Sequence, residues 1–139
     1  MTYSSVAEMK KAHKAMIDAF PMHFAFGQKQ LDEELAKMGV GVDDVVSIGA
    51  GGFILKSDVK AYVEMFKVIR QEEDEFKKEE KNLVNLICSE LRDHEYGYTC
   101  DLEESLAAAG VWEEYCGGNE FVVNAVKKAV KKFKKGVRV

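Results

Sequence analysis

The sequence predicts a mostly helical α+β fold, with five to six helices, a long central helix or helical hairpin, and one small β-hairpin, in a single domain spanning 1-139. Three observations predict it. Apolar residues recur at three- and four-residue steps over several stretches, which is the signature of amphipathic helices. There is one proline, Pro21, so long helices can run uninterrupted. Two apolar runs, the β-branched-rich Val45–Ile48 and Phe53–Leu55, flank Gly49-Ala50-Gly51-Gly52 and read as a hairpin with a glycine turn.

Taken in order, Ser5-x-x-Glu8 is a capping box that starts a helix near Val6. Val6, Met9, His13, Met16, Ile17 and Phe20 give it one apolar face, and Pro21 stops it. Met22 to Gly27 is a short aromatic segment, strand or extended linker. Gln28 to Met38 is a second helix with Leu31, Leu35 and Met38 inward, closed by Gly39 as a left-handed cap. Two strands alone are marginal in water, so Phe24–Phe26 is the candidate third strand.

Helix resumes at Ser57 or Asp58 and continues toward Tyr96. Tyr62, Phe66, Ile69, Glu73, Phe76, Glu80, Leu83 and Ile87 step by fours and threes, a heptad seam. Glu73 and Glu80 interrupt it, so the charged middle around 71–82 reads as a solvated bridge between two packed ends. If the run were one straight helix, its ends would stand more than about 50 Å apart. Asp93 to Cys100 interrupts the helix, with Gly97 as the expected breaker. Thr99 or Asp101 caps a short helix ended by Gly110, and Trp112 reads as core. Asn119 caps the last helix, whose buried stripe is Val122, Ala125, Val126, Ala129, Val130 and Phe133.

A chain of 139 residues with 47% hydrophobic content buries a real core. Three cysteines, Cys88, Cys100 and Cys116, form no disulfide framework and lack the close pairs of a structural zinc site, so no metal is expected. The N-terminus lacks the continuous apolar region of a signal peptide, and no stretch approaches the roughly 18 apolar residues of a membrane span. The expectation is a cytoplasmic protein, with no membrane partner. Residues 1–126 hold all 24 acids against 13 Lys/Arg, while residues 127–139 hold seven Lys/Arg and no acid. An acidic body argues against direct nucleic-acid binding, and the lysine tail reads as a solvated helical face.

Two segments carry candidate chemistry. The Gly49–Gly52 turn, with Lys56 and a helix start behind it, could cradle an anion, although its spacing matches no phosphate-binding motif. The Asp93-His94-Glu95-Tyr96-x-Tyr98-x-x-Asp101 cluster could support acid-base work, or could simply close a helix end, where His94 favours the dipole. No nucleophile–base constellation is present, and no cofactor is called for.

Three groups of residues resemble a family of small uncharacterised proteins encoded by bacteriophages, prophages and Gram-positive bacteria. They are Phe24-Ala25-Phe26 with Gln30 and the helix to Gly39, Ser47 to Ile54 with Lys56-Ser57-Asp58, and Glu90-Leu91 through His94-Glu95-Tyr96 to Thr99, Asp101, Leu106 and Gly110. The resemblance covers about residues 22–110. It implies a phage accessory role: a non-enzymatic binding protein that inhibits a bacterial antiviral defence component, by masking a host defence protein or by sequestering a small nucleotide. Its expected binding surface is Phe24, Phe26, Gly51, Gly52, Phe53, Lys56, His94, Glu95, Tyr96 and Tyr98. The alternative is a small hydrolase or nucleotide-processing enzyme using His94, Glu95 and Asp101. A third reading is a homo-oligomer assembled along residues 62–87.

Overall fold

Helical periodicity and one glycine-rich hairpin translate directly into elements. A computed structural model describes residues 2–137, without the side chains of Tyr98 and Val137. The elements in order are α1 (Val6–Ala19), β1 (His23–Phe24), α2 (Gln28–Met38), β2 (Val45–Gly49), β3 (Gly52–Leu55), α3 (Val59–Phe76), α4 (Glu80–Asp93), α5 (Tyr96–Thr99), α6 (Glu103–Ala108), α7 (Trp112–Cys116) and α8 (Glu120–Val137). Single 3-10 turns stand at Val42–Asp44 and Lys56–Asp58. The protein is a mostly helical α+β fold with a three-stranded antiparallel sheet.

The chain divides into two compact units, Met1–Lys10 with Gln71–Val139, and Lys11–Arg70. Both boundaries fall inside helices, α1 and α3.

In the unit Lys11–Arg70, Pro21 separates α1 from β1. The sheet order is β1-β3-β2, with His23 opposite Phe53 and Val46 opposite Ile54. The aromatic segment is thus the third strand, reduced to His23–Phe24, and His23 stacks on the Phe53 ring at 5.6 Å. α2 ends where Gly39 takes φ 71, donating its N–H back into the last turn. Phe20, Tyr62 and Phe66 form an edge-to-face aromatic chain with centroid spacings of 5.6 and 4.9 Å. Such pairs contribute about 0.5–1.5 kcal/mol beyond their buried area.

In the other unit, the Ser5 hydroxyl accepts the Glu8 N–H, as a capping box requires. The Glu8 carboxylate reaches Ser4 rather than closing on Ser5. The core is the α4–α8 pair. Leu83, Ile87 and Leu91 are buried on α4 against Val122, Ala125, Val126 and Ala129 on α8. The two alanines four residues apart give α8 a shallow face that admits the larger α4 side chains. Asn119 Oδ1 accepts the Val122 N–H and caps α8. Lys128 pairs with Glu80, and Lys132 Nζ donates to Asn85 Oδ1, so part of the lysine face is docked on α4.

The central run takes the second of its two expected forms, two helices, broken at residues 77–79. Three other readings change. The middle of the run is only in part a solvated bridge: Asp74, Glu75, Lys78 and Glu79 are exposed, but Phe76 is 5% exposed, and Lys77 Nζ donates to the Ala109 carbonyl at 3.2 Å. Lysine reaches such a carbonyl by lying its methylene stem along apolar surface, so one lysine of a charged stretch can be packed. Gly97 is not the breaker. The interruptions are Glu95 and Cys100, at φ 54 and φ 53, while Gly97 lies inside α5 near the Phe133 ring. Trp112 is half-exposed and stacks on Tyr115 at 6.1 Å, and the neighbouring buried residue is Val111.

Candidate functional site

Three consecutive turn residues carry positive φ, Gly49 at 91, Ala50 at 52 and Gly51 at 79. This left-handed run is what glycine permits, and here it creates room. A Cβ on Gly51 would stand 2.7 Å from Phe26 Cε1 and 3.0 Å from the Ala25 carbonyl. One on Gly52 would stand 3.0 Å from Ile48 Cγ1 and 3.1 Å from Phe24 Cε1. Both phenyl rings therefore lie on bare backbone. The segment carrying them is pinned on both sides, by Ala25 N–H to Gly51 O at 2.9 Å and Phe26 N–H to Gln30 Oε1 at 2.8 Å. The rings remain open to solvent, Phe24 at 54% and Phe26 at 76% exposed.

Beside this turn is an open groove of about 380 Å³. Leu31, Val42, Val45 and Phe53 line it with apolar surface, and Gln28 and Ser47 are its polar side chains. Both are already engaged: Gln28 Nε2 donates to Asp32 at 2.9 Å, and Ser47 Oγ accepts the Gly49 N–H at 3.3 Å. The remaining lining is Ala25, Gly27, Gly51 and Gly52. No lining residue is charged. Lys56 is exposed in the 3-10 turn after β3, outside the lining.

His94, Glu95, Tyr96 and Tyr98 belong to the other unit. His94 closes α4. Its Nε2 lies 3.4 Å from Glu90 Oε2 and its Nδ1 3.7 Å from Glu104 Oε2. Glu90, which is buried, also meets Lys10 Nζ at 2.7 Å, and Ser105 Oγ donates to the Glu90 carbonyl at 3.3 Å. Asp101 Oδ1 caps α6 through the Glu103 N–H. Glu95 is exposed in its left-handed conformation, and Tyr96 meets the Phe133 ring edge-on at 5.6 Å. The Tyr98 side chain lies outside the described residues. The carboxylates brought to His94 are thus Glu90 and Glu104, held in a network with Lys10. That arrangement satisfies buried charge and ties α1, α4 and α6 together. Among the described residues no group of His, Cys, Asp or Glu side chains could hold a metal ion, and the three cysteines are free.

Of the expected site residues, Gly51, Gly52 and Phe53 line the groove, and Phe24 and Phe26 sit on its glycines. Sequence reasoning missed the other seven lining residues, Leu31, Val42 and Val45 among them. Leu31 was assigned to the core face of its helix, and Val42 sits in a turn where no periodicity marks a face. Gly27, at the start of α2, was the available signal of an open helix entrance.

The model of a family of unknown function, DUF7659, matches residues 5–132. The chain belongs to that family. No curated protein and no solved structure matches it. The DUF7659 match begins at the Ser5 cap of α1, ends within α8, and includes both the groove and the His94 network.

Proposed function

We propose that the protein is a binding protein that masks a partner protein through the hairpin groove and the Phe24 and Phe26 rings, and that the partner is a component of bacterial antiviral defence. The observation that carries the binding reading is an uncharged groove next to two phenyl rings in water. Exposed apolar patches on a soluble protein mark interaction sites, and aromatic side chains are the common anchors of interfaces. The uncharged lining favours a protein segment over a nucleotide, because a phosphate there would find no counter-charge. The defence role is supported by the resemblance to phage and prophage proteins and by nothing in the geometry. The His94 reading is the weaker second: its carboxylates are committed to Lys10 and α6.

The test is expression of the gene in bacteria carrying individual defence systems, challenged with phage. Masking predicts that at least one system loses protection and that its component co-purifies with the protein. Unaltered protection across all systems tested would sink the defence role. A nucleotide sponge would instead show as a melting temperature that rises with nucleotide concentration by mass action.

A further inference from the structure

The outer edge of β2 offers a set of backbone groups that one particular occupant matches. In the sheet order β1-β3-β2, β2 is an edge whose sheet neighbour is β3. The bond from Ala25 N–H to Gly51 O fixes which residues exchange hydrogen bonds across β1 and β3. By alternation, the Phe53 N–H and C=O then turn toward β1. Ser47, opposite Phe53, therefore makes no ladder bond to β3, and neither does Val45, opposite Leu55. Val46, opposite Ile54, makes them. The N–H and C=O of Val45 and Ser47 accordingly point outward. Beyond Ser47 a register shift ends the regular edge.

We infer that this edge pairs with the same edge of a second copy, antiparallel about a two-fold axis through Val46, giving a continuous six-stranded sheet. In that register Val45 of each copy faces Ser47 of the other, and all four outward groups on each copy are used, in four hydrogen bonds. Val46, partly exposed, meets its own counterpart as a close non-bonded pair. The exposed Val42 stands just before this edge. A symmetric interface must be self-complementary, and this register is.

Charge permits it. Residues 45–49 carry none of the lysines or prolines that blunt natural edges. Asp44 and Asp43 fall opposite Ile48 and Gly49 of the other copy, so acid never faces acid. The unit Lys11–Arg70 holds eight acids and eight Lys/Arg, so two such units approach without net repulsion. The edge shares Val42, Val45 and Ser47 with the groove, but its test is separate from that of the masking reading: mass and amide exchange test it, and the phage assay does not.

The experiment is sedimentation of the full chain from about 5 to about 500 μM, where a dimer of micromolar affinity would assemble. Backbone amide exchange is read over the same range. The expected result is a mass rising from 15.6 kDa toward twice that value. The Val45 and Ser47 amides slow at least about tenfold with concentration, while the Val46 amide is protected throughout. Ser47→Pro removes an outward N–H and no ladder bond, so it is expected to keep the helical circular dichroism and stay monomeric. If Ser47→Pro fails to fold, Val46→Lys decides, because it sets like charges against each other across the axis. A mass that stays at 15.6 kDa overturns the inference. So does doubling without protection of Val45 and Ser47, or a dimer that persists in both variants.

Discussion

Gly51 is the residue on which the proposed recognition surface depends. Its φ of 79 strains any side chain, and a Cβ there would meet the Phe26 ring at 2.7 Å. Gly51→Ala is expected to lower stability by about 1–3 kcal/mol, the usual cost of holding a non-glycine residue in that region, and to displace the Phe26 ring. Chemical denaturation measures the first and the ring's NMR shifts the second. Gly39→Ala, with open space around it, carries the conformational strain without the collision and is expected to lose less. Tyr3 sets a pH dependence. Its hydroxyl donates to Glu72 at 2.6 Å, and that bond, with burial and the Glu72 and Glu8 charges, pushes its pKa up to about 12. A folded-state value above the unfolded value of 10 means a contribution fully present below pH 10 and lost as pH rises toward 12. Tyr3→Phe is therefore expected to reduce the fall in melting temperature between pH 9 and pH 11. An unchanged alkaline slope would contradict this.

At the scale of elements, the α4–α8 pair concentrates the buried apolar surface of its unit. Leu91 is fully buried there, so Leu91→Ala is expected to cost about 2–5 kcal/mol by denaturation. Val63, on α3 in the other unit and largely exposed, is expected to tolerate alanine within about 0.5 kcal/mol. What made elements legible was local chemistry. α2 runs Gln28–Met38 as its periodicity and Gly39 indicate, and α8 begins where Asn119 caps it. The failures have physical causes as well. The breaks around α5 fall on Glu95 and Cys100, residues held in left-handed backbone by their surroundings, and sequence points to glycine for that conformation. The pause at residues 77–79 contains no proline or glycine, so nothing local announces it. Lys77 is stabilised there by the Ala109 carbonyl 32 residues away, a contact that sequence periodicity does not encode.

Over the whole molecule, the acidic first 126 residues and the lysine-rich end remain the dominant charge feature, and no described helix is long and apolar enough to cross a membrane. Less than half of the candidate surface was legible, through the glycines and phenylalanines at the hairpin. Leu31, Val42 and Val45 were not, because a groove wall is defined by which elements meet, and ordinary aliphatic residues serve equally as core. The same limit applies to His94: proximity in sequence suggested Glu95 and Asp101, while helical spacing and chain return delivered Glu90 and Glu104. In the proposed function the groove and its two phenyl rings, and not the His94 network, carry binding. This is tested most directly by comparing three proteins in the phage-protection assay: the wild type, the Phe26→Glu/Val42→Glu double variant, and the His94→Ala/Glu95→Ala double variant, each shown folded by circular dichroism. The wild type and the His94 variant are expected to lower protection equally, and the groove variant to lose that effect. A groove variant as active as the wild type, with activity lost in the His94 variant, would contradict it.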